Sequence, residues 1–416
     1  MMLAVPVAVL ALAMAKPAQA IPAWSRRYGI DCSSCHVAGF KLTKMGQDFL
    51  RSGHSMEADK KEADLSDHLS VAQKSRYNYS KAKNEDGTGK KVVNSFEQHA
   101  LSLYMGGPLE KEWSYFAELY WHENSGSTSG ASDLNDYGRS KLADAYLQYV
   151  HRQNDESFTS VRFGQFSPYL LHLNGVGARL SHDRPYVINS GTVGDNPYKP
   201  FQRQYGLEVA QSMNGFYMAA ALVNGTGGKL FNRVDNDLKK DAYATLDYTL
   251  DDNGSMLGVY GYTGHYPLAV DNAFKYQAQT YDEFRQVGVM GNYTMKQGAL
   301  VGAFYSGQNE FVLRKDFAGP ADTSAVTVKP KSLGYYVELQ VYGLHPRVQP
   351  YLRYDFWDAD TDISDNEIAG PMLGVSWRAL DNGRIACQAS QLKTRSALVG
   401  KEFTENKLAF EVNFMF

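Results

Sequence analysis

The chain ends in the stretch Leu408-Ala-Phe-Glu-Val-Asn-Phe-Met-Phe416, in which large apolar residues occupy every second position. Small or polar residues, among them Ala409, Glu411 and Asn413, fill most of the positions between them. A period of two predicts a β-strand with one apolar face and one polar face. The run is about ten residues long, which is the length that a tilted strand needs to cross a bilayer.

The same alternation begins at about Leu69 and recurs through the rest of the chain, most clearly at 113–122 and 333–342. Seven short turns are expected near 106–111, 153–157, 213–215, 251–254, 296–298, 345–347 and 381–383. Eight longer connections are expected near 83–91, 125–138, 168–197, 226–238, 269–279, 312–330, 361–366 and 397–403. These connections join sixteen strands, with both ends of the strand region on the short-turn side. The pattern predicts an all-β fold in which 66–416 form a sixteen-stranded antiparallel transmembrane β-barrel. A soluble β-sandwich or solenoid is the alternative.

Composition excludes several other classes of protein. The 416 residues include 42 basic and 45 acidic side chains, so the chain is not a polybasic binder of nucleic acid. No run of 18 or more apolar residues occurs, which excludes a helical membrane protein. Three cysteines are too few for a disulfide framework.

The first twenty residues have the pattern of a secretory signal peptide. Residues 2–15 are an apolar stretch, and the small-residue triplet Ala18-Gln19-Ala20 follows Pro17. This arrangement predicts cleavage before Ile21 and export across the inner membrane.

Two of the cysteines lie in the motif Cys32-Ser33-Ser34-Cys35-His36. Two thiols at this spacing reach the two vinyl groups of one haem, and the adjacent histidine then falls under the iron. A redox disulfide needs no histidine, and a zinc site needs further ligands at short spacing. We therefore expect 21–65 to form a small, mainly helical module that carries one covalent haem c on Cys32 and Cys35, with His36 as the proximal iron ligand.

The sequence leaves the sixth ligand of the iron open. A helix is expected over Lys41–Arg51, with Leu42, Met45 and Phe49 on one face and Gly53 as its stop. Met45 is then either an iron ligand or a core-filling side chain. His54, just beyond the helix, is its rival as the distal ligand.

The polar faces of the strands are expected to line a wet lumen of mixed charge. They carry Lys74, Arg76, Glu118, Asp144, Arg162, Asp247, Glu338, Arg353, Asp355, Arg378 and Glu411. The loop 168–197 is expected to be a plug, a substrate gate or an ordinary surface loop. The acidic run from Asp355 to Glu367 lacks the glycine of a calcium loop and predicts only weak attraction of divalent cations. Cys387 is expected to be a small lipid-facing or packed residue.

The order of these features resembles the fused cytochrome–porin family of the bacterial outer membrane, best known as iron(II) oxidases. At the level of motifs the resemblance rests on Pro22, Trp24, Arg26-Arg27, Gly29, the Cys32–His36 motif, Leu42, Gly46, Phe49 and Gly53. The terminal Phe416 also resembles the assembly signal of outer-membrane barrels. The chain departs from the family pattern at Lys41, where a proline is expected, and at His54, where an aromatic residue is usual.

The resemblance implies one-electron oxidation of extracellular Fe(II) and transfer to a periplasmic c-type cytochrome, in a protein embedded in outer-membrane lipid and without a nucleic-acid partner. Two alternatives stay open. One is a diffusion porin with a haem plug or sensor, and the other is an outward conduit that reduces metals or electrodes.

Overall fold

The computed structural model of the chain describes residues 21–37, 41–56, 64–84, 91–123, 141–154, 156–177, 179–194, 196–225, 239–267, 281–310, 312–314, 326–380, 382–396 and 401–416. The expected signal peptide, 1–20, lies outside the described residues, as do the tips of several long loops. Within the described ranges, no helix is long and apolar enough to span a bilayer.

Sixteen antiparallel strands close into one barrel, which confirms the predicted fold. We number them β1 to β16 in chain order. They are Leu69–Asn84, Lys91–Pro108, Trp113–Glu123, Lys141–Asn154, Ser157–Phe166, Gln204–Met213, Phe216–Val223, Asp241–Thr249, Met256–Pro267, Tyr281–Met295, Gly298–Asn309, Lys331–Val341, Val348–Asp358, Glu367–Leu380, Gly383–Ser396 and Lys401–Met415. The short turns lie at one end of the barrel and the long loops at the other, as the connection lengths predict.

The last strand closes the barrel against the first. In the ladder between β16 and β1, Glu411 is the partner of Arg76, and Arg76 Nε lies 2.7 Å from a carboxylate oxygen of Glu411. The backbone groups of Phe416 and Val71 exchange two hydrogen bonds, of 2.7 and 2.9 Å. The sixteen-stranded sheet therefore has no unpaired edge, which is the condition for a sheet to exist in hydrocarbon.

The alternation of the sequence matches the two faces of the wall. In β12, Val337 and Leu339 are 48% and 50% exposed on the outside, whereas Glu338 and Gln340 are 3% and 5% exposed on the inside. Cys387 in β15 is exposed between the buried Ala386 and the buried Gln388, so its side chain points outward, as expected. An apolar outer face is the surface that hydrocarbon requires.

The N-terminal segment forms three short helices: α1 (Pro22–Tyr28), α2 (Cys32–Cys35) and α3 (Lys44–Arg51). A two-stranded sheet pairs His36–Val37 with Lys41–Leu42, and a 3-10 turn spans Leu65–Asp67. The helix expected over Lys41–Arg51 thus begins three residues later than predicted. The reason is Thr43, whose side chain caps the helix by accepting from Gly46 N at 3.1 Å, while Lys41 and Leu42 are held in the sheet.

This segment lies inside the barrel. The guanidinium of Arg51 lies 2.7 Å from the carboxylate of Asp247 in β8, and both side chains are fully buried. Gln47 Nε2 donates to Gly254 O at 2.8 Å in the turn between β8 and β9. The backbone N–H of Lys44 donates to Asp252 O of the same turn at 3.1 Å. The module therefore occupies the short-turn end of the lumen.

The long connection between β5 and β6 also folds into the lumen. It contains short helical stretches at Tyr169–Leu171, His172–Val176 and Tyr186–Asn189. Leu170, Leu171, Val187 and Ile188 are 0% exposed in the main hydrophobic cluster. The inner wall is polar, as expected, and two inserted segments cover part of it. A second small sheet, Val312–Arg314 with Val326–Val328, lies in another long loop.

Candidate functional site

The Cys–His motif is held rigidly by the residues that follow it. Cys32 and Cys35 occupy the single turn of α2, and His36 continues in extended conformation. Thr43 donates through its hydroxyl to Ser34 O at 2.9 Å and through its backbone N–H to Cys35 O at 3.0 Å. A Cβ at Gly46 would lie 2.3 Å from Cys35 O, so only glycine lets α3 pack against the motif.

Helix α1 places the indole ring of Trp24 beside helix α3. The backbone N–H of Ala23 donates to Ser70 Oγ at 2.9 Å, and the indole N–H of Trp24 donates to Gly106 O at 3.2 Å. Both acceptors belong to the barrel wall. The indole of Trp24 is thereby fixed against Phe49 of α3, with ring centroids 5.2 Å apart.

The motif, Trp24 and His54 line one cavity of about 260 Å³ inside the barrel. Its apolar part is formed by side chains from all three components, the module, the wall and the inserted loop. They include Leu42, Phe49, Leu50, Phe116, Tyr146, Val176 and Phe201. A pocket that is mostly apolar and carries a few convergent polar groups is typical of a small-molecule or cofactor site.

The thiol of Cys35 is protonated at physiological pH, because burial and the neighbouring Cys32 raise its pKa to about 11. No disulfide joins the described cysteines. A redox-active cysteine needs a thiolate, which the environment of Cys35 disfavours.

His54 is buried beside two aromatic rings of the cavity. It is 1% exposed, and its ring stacks on Trp24 with centroids 4.2 Å apart and lies 5.1 Å from Phe116. Burial lowers its pKa to about 3, so the ring is neutral at physiological pH. Neither ring nitrogen has a hydrogen-bond partner among the described residues. A buried polar atom without a partner is costly, and iron coordination would remove that cost for one nitrogen.

The backbone at His54 is also held in an unusual conformation. Its φ is +57°, in the left-handed region that few residues other than glycine adopt. The hydroxyl of Tyr28 donates to His54 O at 2.8 Å, and the His54 N–H donates to Phe49 O at 3.0 Å. Such strain persists where the surroundings fix it, and it is concentrated at functional sites.

Met45 lies outside the cavity, although it was expected to share the apolar face with Leu42 and Phe49. Its side chain is 38% exposed and is not among the residues that line the cavity. The reason is that α3 begins at the mouth of the barrel, where Lys44 binds the turn between β8 and β9. Trp24 covers Phe49 one helical turn further in, but Met45 stays at the mouth.

Two further side chains that could bind iron line the cavity, although the sequence motifs did not point to them. His172 comes from the inserted loop, and burial, followed by the charge of Arg203, lowers its pKa to about 4. Met415 comes from the end of β16. Its inward direction could have been deduced from the alternation with Phe414 and Phe416, whereas the position of His172 depends on how the loop folds.

The predicted lumen residues do face inward, and most of them form ion pairs. Arg162 pairs with Glu208 at 2.8 Å. Arg353 pairs with Asp355 at 2.8 Å, which separates Asp355 from the rest of the acidic run in the outer loop. Arg378 is half-buried near the short-turn end, where its Nη2 lies 3.5 Å from Pro346 O.

The fold is similar to that of known bacterial porins. An anion-selective porin from Comamonas acidovorans aligns with a TM-score of 0.56 at 12% identity, over 84% of this chain and 99% of that one. OmpF of Salmonella typhi, solved as a complex with daunomycin, aligns with a TM-score of 0.55 at 12% identity, over 84% and 97%. OmpT of Vibrio cholerae aligns with a TM-score of 0.51 at 10% identity, over 85% and 99%. At these identities the likeness concerns the barrel fold alone. No protein-family profile and no curated protein sequence matches the chain.

Proposed function

We propose that this chain is an outer-membrane electron conduit, a porin-type barrel that holds one c-type haem in its lumen. Outside the cell, each Fe(II) is oxidised to Fe(III) and gives up one electron. On the other side, a periplasmic c-type cytochrome accepts that electron and is reduced. The observation that carries the proposal is that Cys32, Cys35, His36 and His54 line one cavity within the closed barrel.

The residues of the cavity fit the haem that the motif implies. Cys32 and Cys35 offer two thiols on one helical turn, and His36 and His54 offer imidazoles. Once bound, a c-type haem supplies a one-electron couple whose potential depends on its axial ligands and on burial. Since two histidine ligands keep that potential lower than a histidine and a methionine, the identity of the sixth ligand bears directly on function.

The protein contributes attachment, orientation and insulation. The capped start of α3 holds the Cys–His motif, and Tyr28 holds the backbone of His54. Trp24, Phe49 and Phe116 exclude water from the imidazole of His54. The wall separates all of these groups from lipid, which matters because a centre that changes charge is costly to bury in hydrocarbon.

The barrel also supports a direction for the two partners. Short turns face the periplasm in outer-membrane barrels, and the module lies at the short-turn end. A periplasmic cytochrome would therefore approach the side on which α3 begins, and Fe(II) would approach the side of the long loops. The signal sequence and the apolar outer face support the bacterial outer membrane as the location.

A diffusion porin with a haem plug is the second candidate, and the likeness to porin folds favours it. The inserted segments argue against it, because the described parts of the N-terminal segment and of the loop between β5 and β6 occupy space that an open porin leaves to water. Outward transfer of electrons to metals or electrodes would use the same arrangement of residues, with the electrons flowing in the opposite direction. A strongly negative haem potential would favour that direction.

The decisive experiment is to mix purified, detergent-solubilised protein with Fe(II) without oxygen and to follow the haem absorption bands. We expect the bands to change to the reduced form, and the protein to reoxidise when an oxidised soluble c-type cytochrome is added. Cys35→Ala should remain a heat-modifiable barrel but lack covalent haem, whereas Cys387→Ala should behave as wild type. A colourless wild-type protein would contradict the proposal. Coloured protein that Fe(II) does not reduce, together with sugar flux in liposomes, would favour the porin.

A further inference from the structure

Two arginines of the inserted loop differ from the other arginines that line the cavity. Among the described residues, six lumen arginines each lie within 4.0 Å of a carboxylate, namely Arg51, Arg76, Arg162, Arg203, Arg353 and Arg384. Arg179 and Arg184 have no carboxylate within that distance in the described part of the chain, although both line the cavity. The ion-pair pattern of the lumen is therefore incomplete at one place.

Arg179 is a partly buried cation, and no described carboxylate lies within 4.0 Å of it. Among the described residues, its guanidinium donates only to backbone carbonyls, those of Val176 at 2.8 Å, His182 at 3.1 Å and Gly177 at 3.4 Å, and its Nε has no partner there. Burial and the like charges of Arg184 and Arg384 lower its pKa to about 9. Holding a desolvated guanidinium beside other cations is costly unless an anion joins them.

Arg184 and Lys74 extend this positive wall. The guanidinium carbon of Arg184 lies 4.5 Å from the ring centroid of Phe201, and its Nε donates weakly to Val176 O at 3.4 Å. Lys74 reaches the same cavity from β1, and no described carboxylate lies within 4.0 Å of its ammonium group. The nearby acids are already engaged, since Glu411 pairs with Arg76 and Arg384.

We infer that Arg179, Arg184 and Lys74 form a binding site for the two propionate carboxylates of the haem. The inference rests on the proposed function, because it assumes that the tetrapyrrole occupies this cavity. Its basis is that the three cations and the Cys32–His36 motif line the same space. Two carboxylates would supply the missing counter-charge, and planar guanidinium groups suit carboxylate oxygens especially well. A free anion such as phosphate would satisfy the same chemistry, so the test must separate the two sources.

The test compares Arg179→Gln and Arg184→Gln with Arg378→Gln, which removes a lumen charge outside the cavity. Haem content, the propionate bending modes in the resonance Raman spectrum and the midpoint potential are measured on purified holoprotein. We expect full haem content, because the thioethers are unchanged, together with altered propionate modes in the two cavity variants alone. The midpoint potential of the two cavity variants should fall, because the loss of a positive charge favours the ferric form. For a charge about 10 Å away at a dielectric constant of about 20, the ferric-to-ferrous ratio should rise roughly tenfold. Arg179→Lys keeps the positive charge and should retain the wild-type potential. This variant tests the inference if Arg179→Gln does not fold.

The outcomes separate the inference from the proposed function. Full haem content with unchanged propionate modes in both cavity variants would overturn the inference and leave the conduit intact. Absence of haem from the wild-type protein would overturn the conduit itself. Titration with inorganic phosphate should leave the wild-type spectrum and potential unchanged. A saturable response to phosphate that Arg179→Gln abolishes would assign the site to a free anion instead of the propionates.

Discussion

The guanidinium of Arg51, at the end of α3, lies 2.7 Å from the carboxylate of Asp247 in β8, and neither side chain is reached by solvent. The guanidinium also lies over the ring of Tyr217, 4.3 Å from its centroid, and Arg51 O accepts from Gln148 Nε2 at 2.7 Å. One residue thus fastens the N-terminal module to three different strands of the barrel. Contacts of this kind hold the N-terminal module in the lumen of the barrel.

We expect Arg51→Met to loosen the module without unfolding the barrel. Removal of one partner leaves the Asp247 carboxylate buried and unpaired, which costs about 3–5 kcal/mol. The variant should pass small solutes in a liposome swelling assay, and a protease should cleave within 21–56. Lys44→Ala is the control, since Lys44 pairs with Asp48 at the mouth, where both side chains are partly exposed. A variant as tightly closed as the wild type would show that Arg51 does not hold the module in place.

We expect His54→Ala to change the coordination of the haem and Met45→Ala to leave it unchanged. His54 lines the cavity with unpartnered nitrogens, whereas Met45 points away from it. The His54 variant should convert from a low-spin to a high-spin spectrum and should bind added imidazole or carbon monoxide readily. Optical and electron paramagnetic resonance spectra measure both effects. A low-spin spectrum in His54→Ala would transfer the role of sixth ligand to another cavity residue, of which His172 and Met415 are the candidates.

Gly46→Ala should disturb the haem motif although it adds only one methyl group. The added Cβ would lie 2.3 Å from Cys35 O and 3.1 Å from a side-chain carbon of Leu42, so α3 must move away from α2. Overpacking of this kind costs about 1–3 kcal/mol. Haem content after expression and the midpoint potential measure the displacement. Gly261→Ala is the matched control, because nothing lies within 4 Å of its Cβ position. Equal haem content and potential in the two variants would contradict close packing of α3 on the motif.

The docking of the module should become more stable as the pH rises from about 7 to about 10.5. Burial lowers the pKa of Lys41 to about 7, below its value in an unfolded chain, with Glu338 acting weakly in the opposite direction. Between the two values the unfolded module binds one proton more than the docked module, so stability increases with pH by up to about 1.4 kcal/mol per unit. Protease resistance of the module at pH 7.5 and 9.5 tests this dependence, and Lys41→Met should remove it. A wild-type module whose resistance does not change with pH would contradict a buried, uncharged Lys41.

Much of the architecture follows from local patterns. The alternation from Leu69 to Phe416 specifies the strands, and the lengths of the connections specify their number and order. These signals are strong because a strand in hydrocarbon must expose one apolar face and pair all its backbone groups. The motif at 32–36 is equally local, because its chemistry depends on residues that are neighbours in the chain.

The tertiary structure alone decides which segments occupy the lumen. Leu170 and Ile188 have no periodicity that distinguishes an inserted loop from a surface loop, yet they are fully buried. The separate environments of Met45 and His54 depend on where α3 meets the turn between β8 and β9, a contact across about two hundred positions of sequence. The missing counter-charges of Arg179 and Arg184 are visible only once the other arginines that line the cavity have been placed beside their carboxylates. Strand pairing and the spacing of the Cys32–His36 motif are short-range features that a sequence displays, whereas the filling of a lumen depends on which distant segments have complementary shape and charge.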